Sequence, residues 1–289
     1  MTEHLYGVIM AGGGGTRLWP VSRQKTPKQM IQLFGDRSLF QIAVDRLEGF
    51  IPPERIFVVT TAEQMELLRS QDLRIAIRNY LVEPQPRGTA AVVAMAAGAL
   101  SKKDPEAVLA ILTADHLIKD ISRFQQYLIA AYDVANNKNI VTLGIKPTFA
   151  ATGYGYIESD TGIGTFSGIK AFSVKRFIEK PQETLAREFC ANENFTWNSG
   201  MFISRVDTLL EEFRNYMPDL FNTISGLMSY LGVDHRNNEF VSGWSSIQPQ
   251  TIDYGIMEKT RFAAVLPAKD LGWNDVGSWD SFFEVANPD

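Results

Sequence analysis

A chain of 289 residues, 45% hydrophobic and 21% charged, has the balance of an ordinary folded protein and length enough for one large domain. Its formal net charge of −5, from 28 basic and 33 acidic residues, argues against non-specific nucleic-acid binding, which requires a basic face, yet a few local cations would suffice for a small phosphorylated ligand. Cys190 is the single cysteine, which excludes an intrachain disulfide and a cysteine-rich metal site.

The opening residues Met1 to Tyr6 lack a basic stretch followed by an apolar one, so no secretory signal is expected. No apolar run approaches the roughly 20 residues needed to cross a bilayer. The expectation is a cytoplasmic protein with neither membrane nor nucleic acid as a partner.

Leu5 to Met10 is a short apolar run entering a glycine cluster, which predicts a buried strand and a loop. Leu39, Ile42, Ala43 and Leu47 follow a helical spacing within Ser38 to Gly49. Arg55 to Thr60 and Tyr80 to Val82 predict strands, and the alanine-rich Thr89 to Leu100 a helix. Ala107 to Leu112 is a further buried strand running into Thr113, Ala114, Asp115 and His116; helix-like Phe124 to Val134 and strand-like Ile140 to Gly144 follow. Strands alternating with helices predict a Rossmann-like α/β fold, a mixed, mostly parallel sheet with helices on both faces. Beyond residue 150, Gly153 to Glu158, Ile169 to Ile178 and Gly200 to Val206 read as strands with shorter connections. The chain is therefore expected to be one domain (1–289) with a nucleotide-binding lobe over about 1–150 and a second ligand lobe over 151–289.

In such sheets ligands sit outside the carboxyl ends of the strands, which directs attention to Ala11, Gly12, Gly13, Gly14, Gly15, Thr16 and Arg17, and then to Lys28. Glycines directly after a buried strand let backbone N–H groups turn inward around an anion. Arg17 offers a bidentate grip on phosphate oxygens, and Lys28 a compact charge. A tight turn with solvated cations accounts for the same residues equally well. The Walker A pattern is absent, and the dinucleotide pattern fails because its last glycine position falls on Arg17 or Leu18. That failure disfavours a nicotinamide-dependent dehydrogenase. Asp115, at the end of a strand, and Asp275, in the Leu271 to Gly277 segment between an apolar strand (Phe262 to Leu266) and a terminal helical stretch, could supply the one or two carboxylates that Mg²⁺ takes. Each could equally be a helix cap or a turn residue.

Gly7 to Arg23 together with Pro27-Lys28-Gln29 resembles the signature of sugar-1-phosphate nucleotidyltransferases, in the version carried by mannose-1-phosphate guanylyltransferases. The likeness continues through Glu83-Pro84, Arg87-Gly88-Thr89-Ala90, Ala114-Asp115-His116, Thr152 to Ile157, Phe177 to Pro181, Trp197 to Phe202 and Trp273 to Trp279. It implies a glycosyltransferase-A-like nucleotidyltransferase fold and transfer of GMP from GTP to α-D-mannose 1-phosphate, giving GDP-mannose and pyrophosphate. It also implies Mg²⁺ on Asp115 and Asp275; Arg17, Lys28, Asp115 and Asp275 as catalytic; and Glu83, Pro84, Gly88 and Thr89 beside the base. Lys180 is implied for the sugar phosphate, with Glu179, Asn198 and Gly155 at the sugar. Gly88 stands where the pattern usually has asparagine, and Thr113 where it commonly has proline. The attacking phosphate is largely dianionic at neutral pH and needs no general base, so His116 reads as a packed histidine. The rivals are the same chemistry on another pair, such as dTTP or UTP with glucose 1-phosphate, and a non-catalytic nucleotide-sugar-binding regulatory subunit; the latter has no need of the two aspartates. Family members often dimerise, which makes a homodimer an expectation. Some bifunctional relatives carry a further C-terminal domain with phosphomannose isomerase activity. This sequence stops soon after Trp279, as in a short form or a piece of a longer protein.

Overall fold

In the computed structural model, residues 2–13, 18–23, 26–32, 35–231 and 236–285 are described. Gly14, Gly15, Thr16 and Arg17 of the glycine loop lie outside the described residues.

The first half follows the expected alternation: β1 (Leu5–Met10), α1 (Leu39–Asp45), β2 (Ile56–Thr61), α2 (Ala62–Gln71), β3 (Tyr80–Glu83), α3 (Thr89–Lys103), β4 (Val108–Thr113), α4 (Ile121–Ala135) and β5 (Ile140–Ile145). The second half adds β6 (Tyr156–Phe166), β7 (Ile169–Ile178), α5 (Glu183–Cys190), β8 (Phe195–Arg205), α6 (Val206–Tyr216), α7 (Pro218–Leu227), α8 (Asn238–Ser245), β9 (Ala263–Ala268) and α9 (Trp279–Val285). The described residues form one nine-stranded sheet in the order β3-β2-β1-β4-β8-β5-β9-β7-β6. β7 and β8 run against the direction of the other strands, so the sheet is mixed and largely parallel. Residue 150 marks no boundary in this sheet, because β8 lies between β4 and β5 and β9 follows β5.

Period-two alternation builds both cores. Val108, Ala110 and Leu112 of β4 face one cluster with Phe40, Phe124 and Leu128. Leu109 and Ile111 face the other, with Val93, Phe213, Phe240 and Trp244. Strands buried on both faces read as unbroken apolar runs, which is why β1, β2 and β4 are visible in the sequence. Small side chains on α3 permit close helix packing: a Cβ at Gly98 would stand 2.8 Å from Met228 Sδ on the neighbouring helix-rich face. Two sequence expectations are revised. Val206 opens α6 instead of ending a strand, and β8 begins five residues earlier than Gly200, at Phe195. Gly153 lies in the loop before β6.

Because most strands share one direction, their carboxyl ends share one edge of the sheet. Gly12 and Gly13 follow β1, Glu83 ends β3, and Asp115 follows β4. β8 runs the other way and pairs Ile111 with Phe202, which puts its opening residues, Asn198 among them, at that same edge.

Candidate active site

Local hydrogen bonding decides what each strand-end residue is free to do. Ala11 donates its N–H to Val59 O at 2.8 Å, and its carbonyl accepts from Gln29 Nε2 at 3.1 Å and Thr60 Oγ1 at 3.0 Å. It therefore anchors the start of the glycine loop. Gln29 Nε2 also reaches Gly13 O at 3.1 Å and Gln64 Oε1 at 2.9 Å, so the glutamine beside Lys28 clasps the loop from below. In the sequence Gln29 stands out only as part of a motif, with no role of its own.

A cleft of about 270 Å³ opens over this loop, lined by Gly12, Gly13, Glu83, Pro86, Gly88, Thr89 and Asp115 among others. Pro86 lines it, whereas Pro84 does not. Glu83 is 3% exposed and its Oε2 has no hydrogen-bond partner. Burial pushes its carboxyl up to about 7, against the opposing Arg87 backbone N–H. A Cβ at Gly12 would stand 2.8 Å from Glu83 Oε1; glycine is needed there for the carboxyl to lie against the loop. Gly88 has φ 83° and ψ 167°, a region that essentially only glycine occupies, and a Cβ there would collide with the Gln250 carbonyl. An asparagine could not adopt this backbone without moving Gln250. Thr89 Oγ1 accepts from Ile252 N at 3.0 Å.

Lys28 links Asp115, which lines the cleft, to the Asp275 backbone. Lys28 is buried, and its Nζ donates to Asp115 Oδ2 at 2.9 Å and to the Asp275 backbone carbonyl. The α4 cap is Asp120, which accepts from Arg123 N at 2.9 Å, so Asp115 has no capping duty. Burial works to raise the Asp115 carboxyl, but His116 and Lys28 outweigh it and hold the group below its usual range. Asp275 is a turn residue as well as a site residue: its Oδ1 accepts from Gly277 N at 3.0 Å and from Tyr154 Oη at 2.8 Å. Val276 next to it has φ 47°, a strained backbone for a β-branched side chain. A Cβ at Gly277 would overlap Asp275 Oδ2.

Trp273 Nε1 donates to His116 Nδ1 at 3.3 Å. An indole N–H can only donate, so His116 carries its proton on Nε2, which lies 3.8 Å from Asp115 Oδ1. Burial pushes the ring down to about 4, against the pull of Asp115. It is a packed, neutral histidine at pH 7. Beneath the strand end the fully buried Arg46 donates from Nη2 to Thr113 O at 3.0 Å, and burial lowers its guanidinium to about 10.

The remaining sequence-predicted residues form a second group. A Cβ at Gly155 would stand 2.6 Å from Glu179 Oε2 and 3.4 Å from Asn198 Cβ, and Asn198 N donates to Gly155 O at 2.8 Å. Lys180 Nζ pairs with Glu179 Oε1 at 3.0 Å; its backbone has φ 45°, another left-handed non-glycine position at the site. Tyr154 ties this group to Asp275 and packs at 5.1 Å from Trp197 and 5.7 Å from Trp273.

The sequence model of the Nucleotidyl transferase family matches residues 6–289. The chain belongs to the nucleotidyl transferase family. Among similar nucleotidyl transferases, the mannose-1-phosphate guanylyltransferase of Escherichia coli (strain K12) is 36% identical over 289 residues, covering 98% of this chain and 60% of that protein. The alginate biosynthesis protein AlgA of Pseudomonas aeruginosa is 39% identical over 289 residues, covering 96% of this chain and 58% of that protein. The chain thus spans about three fifths of the length of the curated relatives it matches. The crystal structure of a mannose-1-phosphate geranyltransferase from Thermus thermophilus superposes with a TM-score of 0.87 at 30% identity, covering 99% of this chain and 80% of that one.

Proposed function

We propose that this nucleotidyl transferase joins GTP to α-D-mannose 1-phosphate, releasing pyrophosphate and leaving GDP-mannose. The observation that carries the guanine preference is Glu83, a buried carboxyl lining the nucleotide cleft, whose Oε2 has no hydrogen-bond partner. Guanine offers two adjacent donors, its N1–H and N2–H, and a carboxylate offers two adjacent acceptors. Thymine and uracil present one N–H between two carbonyls, so a carboxylate would there face an acceptor. Binding the complementary base supplies the hydrogen bonds whose absence makes the buried group costly.

The two aspartates suit a hard divalent cation. Both are oxygen donors, and each engages one carboxylate oxygen with Lys28 or Tyr154. The missing side chain of Gly277 clears the second oxygen of Asp275. Asp115 and Asp275 would hold Mg²⁺, which when bound would neutralise phosphate charge. The chain's own groups account for the rest. Lys28 brings a buried positive charge to Asp115 on the wall of the cleft, where the triphosphate enters. Lys180 and Glu179 lie where the sugar phosphate and its hydroxyls would sit. A phosphate oxygen of mannose 1-phosphate then attacks the α-phosphorus of GTP, the bond to the β-phosphate breaks, and pyrophosphate leaves with that electron pair. No proton need be removed from the nucleophile, which agrees with a neutral His116. Positioning and electrostatics supply the acceleration. The reading entails a compartment that holds GTP and sugar phosphates, the cytoplasm.

The test is pyrophosphate release across a panel of GTP, dTTP, UTP and ATP against mannose and glucose 1-phosphates. GTP with mannose 1-phosphate is expected to give the highest kcat/KM. Preference for dTTP or UTP with glucose 1-phosphate overturns the base assignment, and no release from any pair leaves a binding protein.

A further inference from the structure

No motif in the sequence singles out Asp253. It opens a five-residue π-type turn (Asp253–Met257), a backbone irregularity that recurs at functional sites. Its Oδ1 accepts from Asn198 Nδ2 at 3.0 Å. On the same amide, Oδ1 accepts from Thr142 Oγ1 at 3.0 Å and from Gly200 N at 3.1 Å. An amide oxygen has two lone pairs and its nitrogen two hydrogens. The protein therefore uses the whole acceptor capacity of Asn198 and one donor, fixing which way the amide points and leaving a single N–H. The Asp253 carboxyl also accepts from its own backbone N–H, and the four lone-pair sites of a carboxylate leave it room for a further donor.

Three further observations aim this pair at a sugar. Asn198 Cβ lies within 3.4 Å of the Cβ position of Gly155, and Glu179 Oε2 within 2.6 Å of the same point, so Asn198 and Glu179 border one space that glycine keeps open, and Asp253 joins them through its bond from Asn198. Burial first, and then the neighbouring Glu179, push the Asp253 carboxyl up to about 6, so the two acids are held together at a cost. The backbone leading to Asp253 is pinned: Gln250 N donates to Arg87 O at 3.2 Å, Ala90 N to Gln250 O at 3.1 Å, and Ile252 N to Thr89 Oγ1 at 3.0 Å. The carboxylate is thus fixed in place before any ligand arrives.

We infer that Asp253 is a specificity-determining residue of the hexose pocket, the remaining acceptor capacity of its carboxylate and the remaining Asn198 N–H forming an acceptor–donor pair for one ring hydroxyl while Glu179 takes another. A hydroxyl that donates to a carboxylate and accepts from an amide N–H is held in direction as well as position. A hexose 1-phosphate lacking that hydroxyl leaves both groups unpaired, the arrangement that rejects analogues most strongly. The inference rests on the nucleotidyltransferase reading above.

The experiment uses the full chain with GTP and mannose 1-phosphate, and with its 2-, 3-, 4- and 6-deoxy analogues. Asp253→Ala removes both the hydroxyl acceptor and the support for Asn198. It is expected to raise the KM for mannose 1-phosphate about 10- to 100-fold while the KM for GTP moves less than about twofold. Asp253→Asn keeps an acceptor for Asn198 and should fall between; it also serves if the alanine variant does not fold. One deoxy analogue, penalised by the wild type, should lose its penalty in the variants. Equal rises in both KM values, or deoxy penalties unchanged in the variants, would reduce Asp253 to a structural residue. A wild type that releases pyrophosphate from no pair removes the parent reading, whereas an active wild type with an unaffected Asp253→Ala overturns this inference alone.

Discussion

Replacing Glu83 with glutamine exchanges one oxygen for an amide nitrogen at the floor of the cleft, and two opposite effects follow. The first is on stability. An unfolded glutamate loses its proton near 4.5, while burial pushes the folded group up to about 7. The folded pKa is raised, so stability falls as pH climbs through this window and stays reduced above it. That displacement corresponds to about 3 kcal/mol. The ligand-free Glu83→Gln protein should therefore be more stable than the wild type at pH 8, with the advantage vanishing by about pH 4. The second effect is on chemistry. A hydrogen bond to a charged group is worth about 1.5–3 kcal/mol, so losing one of the two acceptors should lower kcat/KM for GTP by about 10- to 10²-fold. The glutamine amide offers one donor and one acceptor, matching the N3–H and carbonyl of uracil, so UTP should lose much less. Urea unfolding at pH 8 and 5, with pyrophosphate release from GTP and UTP, reads both effects. A variant with wild-type stability at pH 8 and an unchanged GTP-to-UTP ratio would refute the reasoning.

Three further substitutions address other parts of the site. Gly88→Ala forces a Cβ against the Gln250 carbonyl at φ 83°; it should cost at least about 2 kcal/mol in urea unfolding, and an unperturbed midpoint would mean that the loop has another conformation. Lys28→Ala removes the ammonium held by Asp115 and should lower turnover by about 10²-fold or more with the circular dichroism spectrum preserved; full activity would remove Lys28 from the reaction. Tyr154→Phe deletes the hydroxyl on Asp275 and should shift the Mg²⁺ dependence of turnover to about tenfold higher concentration, with the KM for GTP measured at saturating Mg²⁺ as the control. An unchanged Mg²⁺ titration would show that Asp275 needs no such support.

Legibility in the sequence follows the range of the interactions. β1, β2 and β4 are visible because strands buried on both faces are written as apolar runs. The front of β8 is not, because Thr196, Asn198 and Ser199 interrupt its pattern; their polarity serves the edge of the sheet where ligands bind. Asp115 stays open between cap and site until Asp120 is seen to hold the cap. The motif residues Gly155, Glu179 and Asn198 can be named from resemblance, but their mutual support cannot. Asp253 meets Asn198 across 55 positions and Tyr154 meets Asp275 across 121, and no local pattern carries information over such distances. Glu83 can be assigned to the base side, whereas its burial and displaced pKa depend on Gly12 and the surrounding strands.

The position of β8 bears on how the protein is made. Its residues, 195–205, are synthesised long after β4 ends at Thr113, yet they fill the gap between β4 and β5. While the intervening chain is translated, at about 5–20 residues per second, the flank of β4 stays open for roughly 5 to 20 seconds and that of β5 for roughly 3 to 12. Open strand flanks are templates for pairing with another chain, and closure across so long a separation is slow. The nascent protein is thus most exposed to aggregation in this interval, and holdase chaperones should be needed on the ribosome more than by the finished molecule.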